Sequence, residues 1–235
     1  MKILPDILLS GVGNGIVKRI VIGINWTMVE GEHGCGLAHT PRRDSPGCRP
    51  ISGAGQLIEM DLRKLAEFYR STNPIEVAVG MAAINASYNR FDLDAECGNG
   101  LDTFGTIGKS ITVVGRFPGL EERYSFLKII EKEPCEGEYP ESMAEDLLKS
   151  SPYSIITAST LVNGTAEDMI SYANAGKIAI IGPGTPLCSM LFELGVNVLS
   201  GMIVTNTRSA SRIIAEGGAV QALKKVGRYA TIRSG

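Results

Sequence analysis

Residues 32–48, EHGCGLAHTPRRDSPGC, gather both histidines of the 235-residue chain, His33 and His39, with two of its five cysteines, Cys35 and Cys48. Imidazole and thiolate are donors that hold zinc and softer metals, so a metal centre is the first chemistry to test here. Spacing limits it. In an extended strand at about 3.3 Å per residue, His33 and His39 lie roughly 20 Å apart and Cys35 and His39 about 13 Å, whereas an ion needs ligands within about 2.0–2.3 Å. A straight strand cannot bring these groups onto one ion. A turn at Gly34 or Gly36, or Cys48 folding back through Pro41 and Pro46, is needed, and Cys35 and His39 are the candidate metal ligands. Arg42, Arg43 and Arg49 suit an anion-facing or substrate-covering loop, and a merely solvated loop better.

A second set of polar groups falls where short apolar runs end: Gly115-Arg116-Phe117-Pro118, Glu131, the stretch from Ser159 to Thr165, and Gly182-Pro183-Gly184-Thr185-Pro186. In the last, Thr185 fits an N-cap and Pro186 an N1 position, which would aim free N–H groups and a helix dipole at an anion; a tight strand-to-helix turn with its cap explains it better. Thr165 with Asp168 reads as a capping box, leaving Thr160 and Asn163 able to face a polar ligand or to serve an ordinary turn. VVGRFPGL has glycines only at 115 and 119, with Arg116 and Phe117 where GxGxxG needs small residues, so no dinucleotide is expected. Glu131 could still hold a ribose or a cationic group. Asn85, inside an apolar run, must find partners if buried and reads first as a tie to a neighbouring turn.

These groups need elements to position them. GIVKRIVIGINWTMV (15–29) and GCGLAHT (34–40) are strand-like; Ile58, Leu62, Leu65 and Tyr69 recur at helical spacing; and IEVAVGMAAINAS, opened by Pro74, is apolar nearly all round, as a buried helix is. After a glycine-rich connection at 94–110, the runs 111–115, 126–131, 153–158, 177–182 and 196–201 read as strands buried on both faces and separated by helix-length segments. The fold class is therefore α/β: a small α+β domain at 1–105, then a doubly wound, mainly parallel, Rossmann-like sheet at 106–235. With 23 basic and 25 acidic residues and no basic stripe, nucleic acid is not an expected partner. The first apolar stretch is cut by Pro5 and Asp6, and no run reaches eighteen apolar residues, so neither a signal peptide nor a membrane span is expected; the expected location is cytoplasmic. Five cysteines without a CxxC pair imply reduced thiols.

The blocks Thr157-Ala158-Ser159-Thr160-Leu161-Val162-Asn163-Gly164-Thr165, Gly182-Pro183-Gly184-Thr185-Pro186-Leu187 and Gly195-Val196-Asn197-Val198-Leu199-Ser200-Gly201 resemble an uncharacterised prokaryotic family labelled "putative heavy-metal chelation". The likeness covers most of 111–220, with Gly115-Arg116-Phe117-Pro118 and Glu131. Residues 1 to about 105, with Thr40-Pro41-Arg42 and Ala83-Ile84-Asn85-Ala86, look like its companion domain. The resemblance implies an enolase-N-terminal-like domain on a Rossmann-like one, with a cleft between them lined by Glu131, Thr160, Asn163, Thr185 and Asn85. This chain departs from the pattern at Ala158, Gly184 and Cys188-Ser189, the last placing a thiol in the first turn of a helix, where a lowered pKa would make it reactive or metal-seeking, although a buried structural cysteine is commoner.

The function favoured is binding of a small polar or anionic ligand, a heavy metal or metal complex included, in that cleft, with Arg42 and Gly115 among the binding residues and residues 33–49 closing over it. The alternative is an enzyme using an adenosine-containing cofactor such as S-adenosylmethionine, with Glu131 on the ribose. A scaffold whose cleft is an interface is the third. A homo-oligomer is compatible with each, and no catalytic triad is evident around His33 or His39.

Overall fold

The computed structural model describes residues 3–42, 50–105, 108 and 110–235. Helix α1 (Leu4–Ser10) has Pro5 in its first turn and buries Leu4, Leu8 and Leu9. Three strands follow, β1 (Arg19–Ile22), β2 (Trp26–Glu30) and β3 (Cys35–His39), forming an antiparallel sheet in that order. Their period of two sends Met28, Cys35 and Leu37 to one face and Val29 and Ala38 to the other, in separate apolar clusters. Helix α2 (Leu62–Ala66) starts at Asp61, whose carboxylate accepts from the Lys64 N–H, and tightens into a 3-10 turn at Glu67–Arg70. That cap excludes Ile58 from the helix. It is 56% exposed, while Leu62, Leu65 and Tyr69 are buried as their spacing predicts.

Helix α3 (Pro74–Tyr88) is capped by Asn73, with Pro74 at its start, and is buried on all sides from Ala78 to Ala86 except at few points. It lies tight on β3 because Gly36 faces it. A Cβ at Gly36 would stand 2.0 Å from the Ala82 carbonyl oxygen, so only glycine permits this approach.

The remaining strands form one eight-stranded sheet: β4 (Glu96–Cys97), β5 (Ile111–Val114), β6 (Leu127–Glu131), β7 (Tyr139–Pro140), β8 (Tyr153–Thr157), β9 (Lys177–Ile181), β10 (Val196–Val204) and β11 (Gly227–Arg233). In space the order is β4-β11-β10-β9-β8-β5-β6-β7; β5 to β10 run parallel, and β11 is antiparallel to β10 and β4 to β11. Numbered from β5, the parallel strands stand 3-2-1-4-5-6, with the reversal of direction between β5 and β8. Strand β4, on the amino side of residue 105, is an edge strand of this sheet.

Between strands run α4 (Ala144–Lys149), α5 (Ser159–Asn163), α6 (Ala166–Tyr172), α7 (Thr207–Ala215) and α8 (Val220–Leu223). One sheet face, carrying Val114, Ile156, Ile180 and Leu199, shares a single apolar cluster with Leu8, Leu65 and Ala82 of the amino-terminal part. The other face, with Val113, Ile129 and Ile155, is closed by Leu101, Leu120 and Tyr124 from connections, while α7 and α8 contribute Ala210, Ile214 and Leu223 beside the end of β10. No helix among the described residues is long and apolar enough to cross a membrane.

Candidate functional site

The carboxyl ends of the parallel strands collect the groups expected there, and the reversal point between β5 and β8 sits among them. Gly115 follows β5 with φ +98°, and a Cβ on it would come within 2.7 Å of the Thr157 methyl at the end of β8. The Thr157 and Ser159 hydroxyls lie 2.9 Å apart. Glu131 ends β6, half-buried; among the described residues its carboxylate accepts from the N–H of the next residue, Lys132, at 3.2 Å, and it lies within electrostatic reach of Arg116.

Two neighbouring groups have local work instead. The buried Thr160 hydroxyl donates to the Thr157 carbonyl at 2.7 Å. Exposed Asn163 ends α5, and its side-chain oxygen accepts from the Thr165 N–H (3.1 Å) and hydroxyl (2.8 Å). The Thr165 hydroxyl is thereby turned back, so the capping box expected from Thr165 and Asp168 does not supply a side-chain cap to α6.

Over β9 and β10 the edge is roofed by β3 and α3. Residues 181–188 are all buried, and no helix starts at Pro186; a 3-10 turn begins at Ser189. The N–H groups expected to face an anion are used: Thr185 N donates to the Gly182 carbonyl, and Leu187 N to the Asn89 side-chain oxygen at 2.9 Å. The Asn85 amide donates to the carbonyls of Leu37 (2.7 Å) and Gly184 (2.8 Å), so Asn85 does tie α3 to a neighbouring turn. Asn89, which no sequence signal marked, donates to the carbonyls of Thr185 (2.9 Å) and Met202 (3.2 Å). Two atoms within this roofed region, Asn85 Oδ1 and Thr185 Oγ1, are buried with no hydrogen-bond partner.

Beyond β5 and β6 the strand ends are less covered by the described residues: Gly115 and Glu131 are half-buried and Arg116 is exposed. Arg116 binds Glu138 through two bonds of 2.7 and 2.5 Å and reaches the exposed Cys135 sulfur at 3.4 Å. The Arg116 guanidinium, with the Cys135 N–H, holds the Glu138 carboxyl down to about 2. The chain leaving β3 spans from the roofed half to the less covered one. His39 N lies 3.8 Å from where a Gly184 Cβ would be, and Arg42 meets Glu133, two residues past Glu131, at 3.7 Å, both side chains 85% exposed. His39 stands edge-on to Trp26, and partial burial, with the Arg42 charge behind it, lowers its pKa.

Among the described residues no three His, Cys, Asp or Glu side chains converge as metal ligands. Cys35 faces Met28, Leu37 and Met202, and burial, then the Glu30 charge, pushes its thiol well up, whereas His39 is at the exposed end of the same strand. Cys188 is buried, as a structural cysteine is, and is not an activated thiol. Burial raises its pKa against hydrogen bonds from Tyr88 and the Met190 and Leu191 N–H groups, because its turn is covered by the amino-terminal part. Arg43, Cys48 and Arg49 lie outside the described residues. Two shallow hollows, of about 460 Å³ beside Asp61 and Lys64 and about 360 Å³ beside Lys177 and Asn197, involve none of the expected site residues.

Fold and edge together define a class: an α/β protein in which a small antiparallel sheet with its helices roofs part of the carboxyl edge of a mostly parallel sheet. The chain belongs to the DUF364 family, described as "Putative heavy-metal chelation", whose model matches residues 102–233; the DUF4213 model, described in the same words, matches 6–88. It is similar to a solved protein of unknown function from the DUF364 family of Desulfitobacterium hafniense DCB-2, with TM-score 0.86, 30% identity and 98% of each chain covered. A Pyrococcus horikoshii protein of unknown function from the same family shares the fold, with TM-score 0.80, 21% identity and 98% of each chain covered. No curated protein matches.

Proposed function

We propose that this protein binds a small polar or anionic ligand at the less covered half of the carboxyl edge, beneath residues 39–42, and that a heavy metal reaches it as a complex carrying its own ligands. The observation that carries the reading is the span from His39, beside Gly184, to Arg42, beside Glu133, laid across an edge whose strand order reverses between β5 and β8. Gly115, Thr157 and Ser159 then form the floor, with the Glu131 carboxylate placed to meet the metal of the complex and Arg42 to meet the complex's own anionic groups from above. The exposed Arg42–Glu133 pair is worth at most about 1 kcal/mol and is easily exchanged for a ligand anion. The lack of three converging donors among the described residues favours a chelate over a free ion. Strand order supports a Rossmann-like label for the large sheet, and the three-stranded sheet with its helices supports an enolase-N-terminal-like one. The division at 105/106 belongs to the same proposal, with β4 lending the second unit an edge strand from the first.

Calorimetric titration with Cd²⁺ and Zn²⁺, each free and as its citrate complex, tests this. The expected result is stoichiometric binding of a complex, weakened at least about tenfold by Glu131→Ala and by Arg42→Ala. No binding by any of the four, or binding indifferent to both substitutions, contradicts it.

One observation favours a second reading. Glu131 ends the strand next to β5 with its carboxylate hydrogen-bonded, among the described residues, to its own neighbour's N–H alone, the place from which an acidic residue grips a ribose. A thermal shift with S-adenosylmethionine, unaffected by chelator and lost in Glu131→Ala, would support the adenosine-cofactor enzyme; no shift would remove it.

A further inference from the structure

We propose that the open edge of β1 pairs with β1 of a second copy of this chain, joining two three-stranded sheets into one of six. Among the described residues β1 pairs only with β2, at one end of its sheet. Gly23 N donates to the Trp26 carbonyl, and the register running from Arg19↔Glu30 to Ile22↔Thr27 makes 19, 21 and 23 the residues that bond β2. The N–H and C=O groups of Ile20 and Ile22 therefore point outward. Lys18 N also donates to Glu30 O, which marks a bulge at 18–19 and reverses the pattern before it. Val17 accordingly faces outward, and there the edge is already covered: Val17 N donates to Met60 O, and Glu59 N to Val17 O.

Although β1 is only four residues long and starts beside that bulge, both of which shorten the edge, its residues do not otherwise blunt it. Residues 20–24 hold no proline and no charge, and Arg19 is turned inward onto Ser211 and Glu30. Apolar side chains crowd it: Ile16 is 51% exposed, Ile22 40%, Ile24 77% and Ile58 56%.

A second copy fits by register and charge. With a two-fold axis at Val21, Ile20 faces Ile22 of the other copy in two hydrogen-bonded pairs, Arg19 faces Gly23, and Lys18 faces Ile24. Isoleucines meet isoleucines, and no like charges are opposed. The incoming strand ends at the 23–25 turn, so it does not run into residues 59–61.

Light scattering across a concentration series tests the pairing on the whole chain. The expected result is a reversible dimer whose dissociation constant rises at least about tenfold in Ile22→Lys and in Ile24→Lys, both exposed positions, with unchanged circular dichroism. Val21→Cys should cross-link two copies under mild oxidation, seen as a peptide joined to itself through position 21. A monomer at every concentration overturns the proposal, as does a dimer that is insensitive to both lysines and fails to cross-link. A monomer whose Ile20 and Ile22 amides are protected only by an added foreign β-strand peptide would assign the edge to another partner and overturn it as well.

Discussion

At the scale of single residues, what a side chain does here depends on whether its neighbours already satisfy it. Glu131 ends a strand and Thr160 follows one, yet Thr160 is engaged by the Thr157 carbonyl and Glu131, among the described residues, is hydrogen-bonded to its own neighbour alone. Sequence placed both at the edge and could not separate them, because a local hydroxyl-to-carbonyl bond depends on the backbone path. Glu76 shows the same principle away from the edge. Burial pushes its carboxyl up, but donors from Ser71 and from the Ser52 N–H and hydroxyl outweigh that, and its pKa lies below the ordinary value. A depressed carboxylate contributes stability above its unfolded pKa and loses it as pH falls through the folded one. Urea titrations between about pH 5 and pH 3 should therefore show a steeper loss of stability in the natural protein than in Glu76→Gln, which should itself cost about 1–3 kcal/mol at neutral pH. Parallel pH curves would contradict this.

At the scale of elements, the five apolar runs from 111 to 201 predict β5, β6, β8, β9 and β10 because strands buried on both faces leave a plain mark. Strand β11 left none, since GRYATIR is partly exposed and mixed in character. The 182–188 turn was legible as a turn. Its burial was not, because the cover comes from α3 and β3, a hundred residues away in sequence. Asn89 is the clearest case: an asparagine at the end of a helix reads as a cap, and only the docked turn reveals its three bonds. Asn89→Ala should cost about 3–5 kcal/mol, since it strands several buried groups at once, whereas Asn163→Ala on the surface should cost about 1 kcal/mol or less. Denaturant midpoints would measure both, and equal losses would refute the assignment of Asn89 as the tie.

At the scale of the molecule, the two parts share one apolar cluster, so the amino-terminal sheet and helices are fixed to the large sheet and not loosely tethered. Among the described residues this roof seals the β9–β10 half of the carboxyl edge, while at the β5–β6 half, where Arg42 meets Glu133, Gly115 and Glu131 stay half-buried and Arg116 exposed. Family likeness could suggest a cleft. It could not say which expected residues are sealed beneath the roof, as Thr185 and Asn85 are, and which remain at the less covered edge, as Glu131 and Arg42 do. Hydrogen-exchange mass spectrometry with saturating cadmium citrate tests that division most directly. Slowed exchange confined to residues 39–42, 115–117, 131–135 and 157–160 is the expected result; exchange unchanged there, or slowed instead around the hollow beside Lys177 and Asn197, would contradict it.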